Sequence, residues 1–322
     1  MDRREFILGA AGLATVAPLL ADQAAFAVEP AFRPYRRVAG PPSGTPTLFL
    51  HGGPGSTAFL FEATAQDALA DAGCRIASFD QRGCGRSKPA PTGSTFTFAE
   101  AIADIDAVRI DEGLGRLTLV GHSFGGVLAL KYAEAHPQNV ARVVLVSAPL
   151  DYPRLFKTIL ANARVRYGTA NKESVGYLDQ IEKMDPASAE YAGYIFQHAI
   201  FTGLYRAKSL SADAQNRYRT AFALPDARLM SDAAPEPFLG FLASEHYTTS
   251  DFSPLAARIA RTIPIWGMYG REDGLFDDTA ISSVRAIVGE SHFELVDAAS
   301  HMVFADALPS FLSFMYRVNA KT

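Results

Sequence analysis

The chain has 322 residues, 48% apolar and 20% charged, enough apolar material for one large core or two small ones and too much for global disorder. Thirty basic residues stand against 34 acidic ones for a net charge of −4, so the electrostatic footprint of a nucleic-acid binder is missing. With no internal repeat, low-complexity tract or heptad array, solenoids and coiled coils are excluded as well.

The first predicted element opens with Arg3-Arg4-Glu5-Phe6-Ile7-Leu8, continues through a mildly apolar stretch to Leu20, and reaches Ala25-Phe26-Ala27. Charged, then apolar, then small-x-small is the order of a cleavable export signal. The Arg pair followed by Phe and two aliphatic residues resembles a twin-arginine signal, which hands folded proteins to the twin-arginine export machinery. The apolar part is too short, and too broken by Gly and Pro, to be a stable membrane anchor. Cleavage after Ala27 removes two arginines against Asp2, Glu5 and Asp22, leaving residues 28–322 at −3 with a periplasmic or secreted destination. Export favours disulfides, yet Cys74 and Cys84 are the only cysteines. They flank a predicted strand and its loop, so a bridge needs the loop to fold back, and two buried or loop thiols are the simpler expectation.

Short Val/Ile/Leu-rich runs follow at Thr47–Leu50, Arg75–Phe79, Leu117–Val120, Val143–Val146, Ile263–Met268 and His292–Val296, and read as buried parallel strands. Ala-rich stretches at Phe59–Ala72, Phe98–Gly113 and Phe124–His136 read as helices between them. Strand and helix in alternation predict an α/β fold, a mostly parallel sheet with right-handed crossovers. Ligands of such sheets bind beyond the carboxyl ends of the strands. From Asp151 to Ser250 the alternation stops and a Tyr- and Phe-rich segment with helical spacing takes over. It is expected to be a helical insertion whose aromatic side chains mostly pack the insertion itself, the remainder lining an apolar cleft against the sheet. The expected organisation is a signal at 1–27, a first core part at 28–150, a helical cap at 151–250 and a second core part at 251–322.

The chemistry gathers at the predicted strand ends. Gly121-His122-Ser123-Phe124-Gly125-Gly126 follows the third run and opens an Ala/Leu helix, which is G-x-S-x-G in a strand-turn-helix context. The turn lifts Ser123 out of the sheet above a helix N-terminus, where developing negative charge is favoured. His51-Gly52-Gly53-Pro54-Gly55 ends the first run, and its backbone can approach a ligand without a Cβ in the way. The two oxyanion donors are assigned to the N–H groups of Gly53 and Phe124, since Pro54 has none. A serine nucleophile needs a base oriented by an acid, here in the chain order Ser, acid, His. Asp273 follows the Ile263–Met268 run and His301 the His292–Val296 run, which makes them acid and base. Glu272, Asp277 and Asp278 compete as acids, and His246 and His292 as bases; His122 and His136 read as structural. Without H-E-x-x-H, paired C-x-x-C, a P-loop or a dinucleotide loop, neither metal nor cofactor is expected.

Three segments together resemble the α/β-hydrolase superfamily and, within it, the proline iminopeptidase group of serine peptidases: His51 to Gly55, Asp80-Gln81-Arg82-Gly83-Cys84-Gly85-Arg86-Ser87, and the Gly121 to Gly126 turn. Ala243-Ser244-Glu245-His246-Tyr247 is similar to that group's E-N-H-Y-F segment. The resemblance spans about Pro46 to Ser147 and Ser244 to Val303, and implies an α/β-hydrolase fold with a helical cap. In that group cap carboxylates bind the substrate's free α-ammonium, so the resemblance implies substrate binding by Glu245. The group's Trp-rich cap segment has no counterpart, the single Trp being Trp266 in a predicted strand. The implied activity is release of an N-terminal residue, Pro preferred, from short peptides or amides through an acyl-enzyme. The alternatives are a carboxylesterase or lactonase with the same triad acting on small apolar esters, and a non-catalytic binding protein on the same fold.

Overall fold

Among the residues described by the computed structural model, 32–169, 171–230 and 234–320, seven strands form one sheet. The expected export signal at 1–27 lies outside those residues. In chain order the strands are β1 (Arg36–Ala39), β2 (Thr45–Leu50), β3 (Cys74–Phe79), β4 (Leu117–His122), β5 (Val140–Val146), β6 (Ile265–Gly270) and β7 (Phe293–Val296). Across the sheet they stand in the order β1-β3-β2-β4-β5-β6-β7. β1 pairs antiparallel with β3 and every other pair is parallel. The central strand β4 is buried at all its positions, the pattern of a strand covered on both faces. Along β2, Leu48 and Leu50 join the core on one side of the sheet while Phe49 joins the core on the other, stacked on Phe61 at 3.7 Å.

The sequence runs missed β1, because Arg36-Arg37-Val38-Ala39 is partly buried throughout and shows neither alternation nor an apolar run. Its strand state comes from pairing with β3 at the sheet edge. The expected Ile263–Met268 run also shifts, since Ile263 and Pro264 precede β6 and the strand continues to Gly270.

The helices are α1 (Phe59–Phe61), α2 (Asp67–Asp71), α3 (Phe98–Asp111), α4 (Phe124–Ala135), α5 (Tyr152–Tyr167), α6 (Lys172–Ile181), α7 (Ala189–Phe201), α8 (Ala212–Phe222), α9 (Pro235–Glu245), α10 (Ser253–Ile259), α11 (Asp278–Val288), α12 (Val303–Asp306) and α13 (Leu308–Ala320). The stretch read as one helix over 59–72 holds a π-helical turn, Glu62–Gln66, which turns Glu62 and Gln66 inward to Ser78 of β3. Thr97 starts α3 with a capping box, accepting from Glu100 N–H while Glu100 accepts from Thr97 N–H.

Helices α5 to α10 lie between β5 and β6, and α5 to α9 make up the segment that begins at Asp151 and ends before Asp251. An isolated antiparallel bridge, Asp151 to Asp251, ties the two ends of that segment together. Its aromatic residues do not make a separate core as expected. Tyr152, Phe156, Tyr191, Phe241 and Tyr247 belong to the same buried cluster as Leu48, Leu119 and Val143 of the sheet, whereas Tyr177, Tyr194, Phe201 and Phe222 are exposed.

Candidate active site

β4 runs directly into the turn that carries Ser123, and α4 begins one residue later. Ser123 has φ 53° and ψ −126°, a strained conformation for a residue with a Cβ. Two backbone bonds hold it there: Ser123 N–H donates to Val146 O at 2.9 Å and Gly126 N–H to Ser123 O at 2.9 Å. The side chain is only partly buried, while His122 and Phe124 on either side are buried. Phe124 is the first residue of α4, so its N–H has no partner inside the helix.

The loop after β2 lies against this serine. A Cβ added to Gly52 would stand 2.7 Å from Ser123 Cβ and 3.2 Å from its Oγ, so only glycine permits the approach. Gly53 follows with φ +118°. His51 anchors the loop. Its Nε2 accepts Gln81 N–H at 2.9 Å, which places the proton on Nδ1, donating to Gly52 O at 2.8 Å. The Gln81 side chain returns a bond to His51 O at 2.7 Å.

Beneath the loop, the Asp80-to-Ser87 string builds an ionic network. Arg86 donates from Nε to Asp80 Oδ2 at 2.7 Å and from Nη1 to Glu62 Oε2 at 2.7 Å, and its guanidinium covers the Tyr35 ring at 3.7 Å. Asp80 Oδ1 accepts Ala58 N–H at 2.8 Å. Burial pushes the Asp80 carboxyl up, but the Arg86 bonds and the backbone donors outweigh it and hold the group below its ordinary range. The Asp80-to-Ser87 string is therefore structural support for the glycine loop. Cys84, inside the string, and Cys74, at the start of β3, are both buried and unpaired.

Asp273 and His301 meet in the loops beyond β6 and β7. His301 Nδ1 donates to Asp273 Oδ2 at 2.8 Å, and Asp273 Oδ1 accepts Leu275 N–H at 3.1 Å. With its proton on Nδ1, His301 keeps Nε2 as a bare acceptor, and that buried atom has no partner among the described residues. No hydrogen bond joins it to Ser123 Oγ. His122, next to Ser123, ties the serine turn to the His301 loop, its Nε2 donating to His301 O at 3.0 Å. Burial, then the nearby His301 ring, holds His122 neutral by lowering its pKa well below the usual value.

The competing residues have other partners. Glu272 accepts from Lys208 N–H and Ser209 Oγ, and Asp277 caps α11 through Ala280 N–H at 2.7 Å. Asp278 lies in the first turn of α11, His246 caps α9 in a left-handed conformation, and His292 stacks on Trp266 at 4.0 Å. His136 caps the end of α4. Glu245, at the end of α9, accepts Phe98 N–H at 2.6 Å, so one carboxylate oxygen ties α9 to the N-terminus of α3.

Sequence reasoning missed Asp306. Its Oδ2 accepts Ser300 N–H at 2.8 Å beside His301, and its Oδ1 accepts from the Tyr218 hydroxyl of α8 at 2.7 Å. Burial raises its carboxyl above the ordinary range despite those bonds. No motif marks it, because one partner is a backbone N–H, which carries no side-chain signal, and the other, Tyr218, comes from a distant segment of the chain. Among the described residues no group of three or more His, Cys, Asp or Glu side chains is arranged to hold a metal ion.

A family model described as alpha/beta hydrolase fold matches residues 45–308, a span that holds the serine turn, the glycine loop and the Asp273–His301 pair. The chain belongs to the α/β-hydrolase fold family. Within that family it is similar to the proline iminopeptidase of Neisseria meningitidis serogroup A, 40% identical over 111 residues. That match spans 34% of this chain and 35% of the relative, so the α/β-hydrolase chain aligns with about a third of the length of the curated relatives it matches. Among solved structures, the proline iminopeptidase-related protein of Thermus thermophilus superposes with a TM-score of 0.63 at 23% identity, covering 89% of this chain and 92% of that one. The esterase RhEst1 from a Rhodococcus species superposes with a TM-score of 0.59 at 23% identity, covering 89% and 94%. At these identities the superpositions concern the shared α/β-hydrolase fold.

Proposed function

We propose that the protein is a serine hydrolase working through an acyl-enzyme. The observation that carries this reading is the buried Asp273–His301 pair, with the proton on Nδ1 and a bare Nε2, in loops joined to the Ser123 turn by His122. In this reading Ser123 attacks a carbonyl carbon, His301 Nε2 takes the hydroxyl proton, and Asp273 steadies the resulting imidazolium. The N–H groups of Gly53 and Phe124 receive the developing oxyanion. His301 returns the proton to the leaving group, whose departure leaves the acyl-enzyme, and then activates the water that clears it. The Ser123–His301 hydrogen bond, not formed here, is expected to close when substrate binds, since catalytic hydrogen bonds often tighten only in the substrate complex. Labelling with a fluorophosphonate tests this directly. Modification that is abolished by Ser123→Ala supports the reading, and an inert wild-type protein overturns it.

For the substrate, the first reading is a short peptide or amide with a free N-terminal residue, Pro preferred. Its support is the 40% identity to a proline iminopeptidase, together with Glu245 as the carboxylate for the α-ammonium. A specific observation favours a second reading, a carboxylesterase or lactonase: Glu245 already receives Phe98 N–H at 2.6 Å, which competes with ammonium binding. A prolyl anilide and a short aryl ester, compared on wild type and Glu245→Gln, separate the two. Anilide cleavage that disappears on acetylating the amine, and that falls much further than ester cleavage in Glu245→Gln, fits the aminopeptidase. Ester turnover alone fits the second reading.

We also propose that residues 1–27 direct twin-arginine export to the periplasm or beyond, a reading supported by Arg3-Arg4 ahead of Phe6-Ile7-Leu8. Replacing both arginines by lysine should leave the protein in the cytoplasm; unchanged export would refute it.

A further inference from the structure

The backbone around His301 is held at two points. His122 Nε2 donates to His301 O at 3.0 Å, which ties the histidine to the serine turn. The residue before it, Ser300, is tied by Asp306, whose Oδ2 accepts Ser300 N–H at 2.8 Å. The Ser300 hydroxyl reaches Glu272 O and Leu204 O only at 3.3 and 3.4 Å, beyond the usual range of an O–H···O bond. A carboxylate accepting a backbone N–H makes a charge-assisted bond about twice as strong as a neutral one, so Asp306 is the firmest tie on Ser300. Both residues are buried.

Asp306 and Ser300 belong to one short loop, so the carboxylate fixes Ser300 only as well as it is itself fixed. The outside anchor comes from the α5–α9 segment. Tyr218 of α8 donates its hydroxyl to Asp306 Oδ1 at 2.7 Å. Its neighbour Arg217 donates from Nε to Ala305 O at 3.1 Å and from Nη2 to Asp306 O at 3.3 Å. Two consecutive residues of α8 thus grip the two residues that end α12. Burial and the Asp306 charge raise the pKa of Tyr218, so its phenol stays protonated and donates. Burial raises the Asp306 carboxyl as well, while the Tyr218 and Ser300 donors favour its ionised form.

The bond from His301 Nδ1 to Asp273 fixes one point of the imidazole. The direction of Nε2 depends also on where the His301 backbone sits, which Ser300 helps to set. A misplacement of about 1 Å costs as much as 100-fold in rate, so a remote tie of this kind matters to the chemistry. Resting on the reading of His301 as the base, we propose that Asp306 is a positioning residue which, held by Tyr218 of α8, links the placement of α8 to that of the His301 loop.

The test follows fluorophosphonate labelling of the full chain, separating the maximal labelling rate from the half-saturating probe concentration. Asp306→Asn keeps the side chain's size and removes the charge from the acceptor, and Tyr218→Phe removes one hydroxyl. Asp306→Asn should slow the maximal rate about tenfold and Tyr218→Phe about fivefold, with labelling still running to completion and the half-saturating concentration within about twofold of wild type. Because both act through one carboxylate, the double variant should be within about twofold of Asp306→Asn alone. Losses that simply multiply in the double variant would overturn the link from Tyr218 to His301. So would unchanged maximal rates, including the case of a purely structural role, in which a smaller fraction of the protein labels at the wild-type rate. Where Asp306→Asn does not fold, Tyr218→Phe decides alone, an unchanged rate overturning the proposal. A wild-type protein inert to the probe would instead remove the serine-hydrolase reading, and this proposal with it, so the two failures are told apart.

Discussion

Replacing Arg86 by Met tests whether the Asp80-to-Ser87 string supports the glycine loop. The substitution keeps most of the aliphatic length and removes the charge. Arg86 is engaged by Asp80 at 2.7 and 3.0 Å and by Glu62 at 2.7 and 3.1 Å, and the two carboxylate side chains are 0% and 7% exposed. Its loss leaves both buried in a common site without a counter-ion, a situation that costs about 3 to 5 kcal/mol. Against a domain stability of about 5 to 15 kcal/mol that is a large fraction. The sign of the pH dependence follows from Asp80. Its folded pKa is depressed, so its stabilising contribution is present above the unfolded value of about 3.9 and is lost as pH falls through the folded value. Without Arg86, burial dominates and the folded pKa lies above the unfolded one, which reverses the sign. The difference between wild type and Arg86→Met should therefore be greatest near neutral pH and shrink towards about pH 4 and below. Urea unfolding followed through the single, buried Trp266 measures it. A loss under about 1 kcal/mol at neutral pH, the value of a surface pair, or a loss that grows on acidification, would refute the argument.

Asp273→Asn should lower kcat on any turned-over ester by about four orders of magnitude, because the amide favours the wrong His301 tautomer; near-wild-type turnover would remove Asp273 from the proposed mechanism. Gly125→Ala should destabilise the fold by about 3 kcal/mol or leave it insoluble, since the added Cβ falls 2.1 Å from Leu50 O and 2.7 Å from His51 O, both backbone atoms. A soluble variant with an unchanged melting temperature would contradict that packing. Burial pushes the Cys84 thiol up to about 12 and also raises Cys74. Neither thiol should react with Ellman's reagent in the native protein, and both should after unfolding in denaturant without reductant; no reaction in either state would indicate a disulfide.

Much of this protein is legible locally. The apolar runs locate β2 to β7 because burial of a central strand on both faces demands them. The G-x-S-x-G turn announces itself by its spacing between a strand and a helix, although Gly125 is required by the distant Leu50 and His51 carbonyls, and the ends of β6 and β7 direct attention to Asp273 and His301. β1 is not legible, since its partly buried Arg-Arg-Val-Ala acquires strand geometry only from β3. Nor is the work of Asp80 and Arg86, whose likeness to a family string says nothing of Glu62, brought to them by the π-helical turn. Glu245 shows the same limit, because the position that suggests ammonium binding is the one at which its carboxylate reaches the N-terminus of α3. Short stretches of chain suffice for the strands, the serine turn and the order of serine, acid and histidine, all of which depend on periodicity and turn chemistry. The long-range polar partners, from Tyr218 on Asp306 to Glu62 on Arg86, emerge only on folding, because hydrogen bonds reach only about 3 Å and packing alone chooses which distant segments come that close.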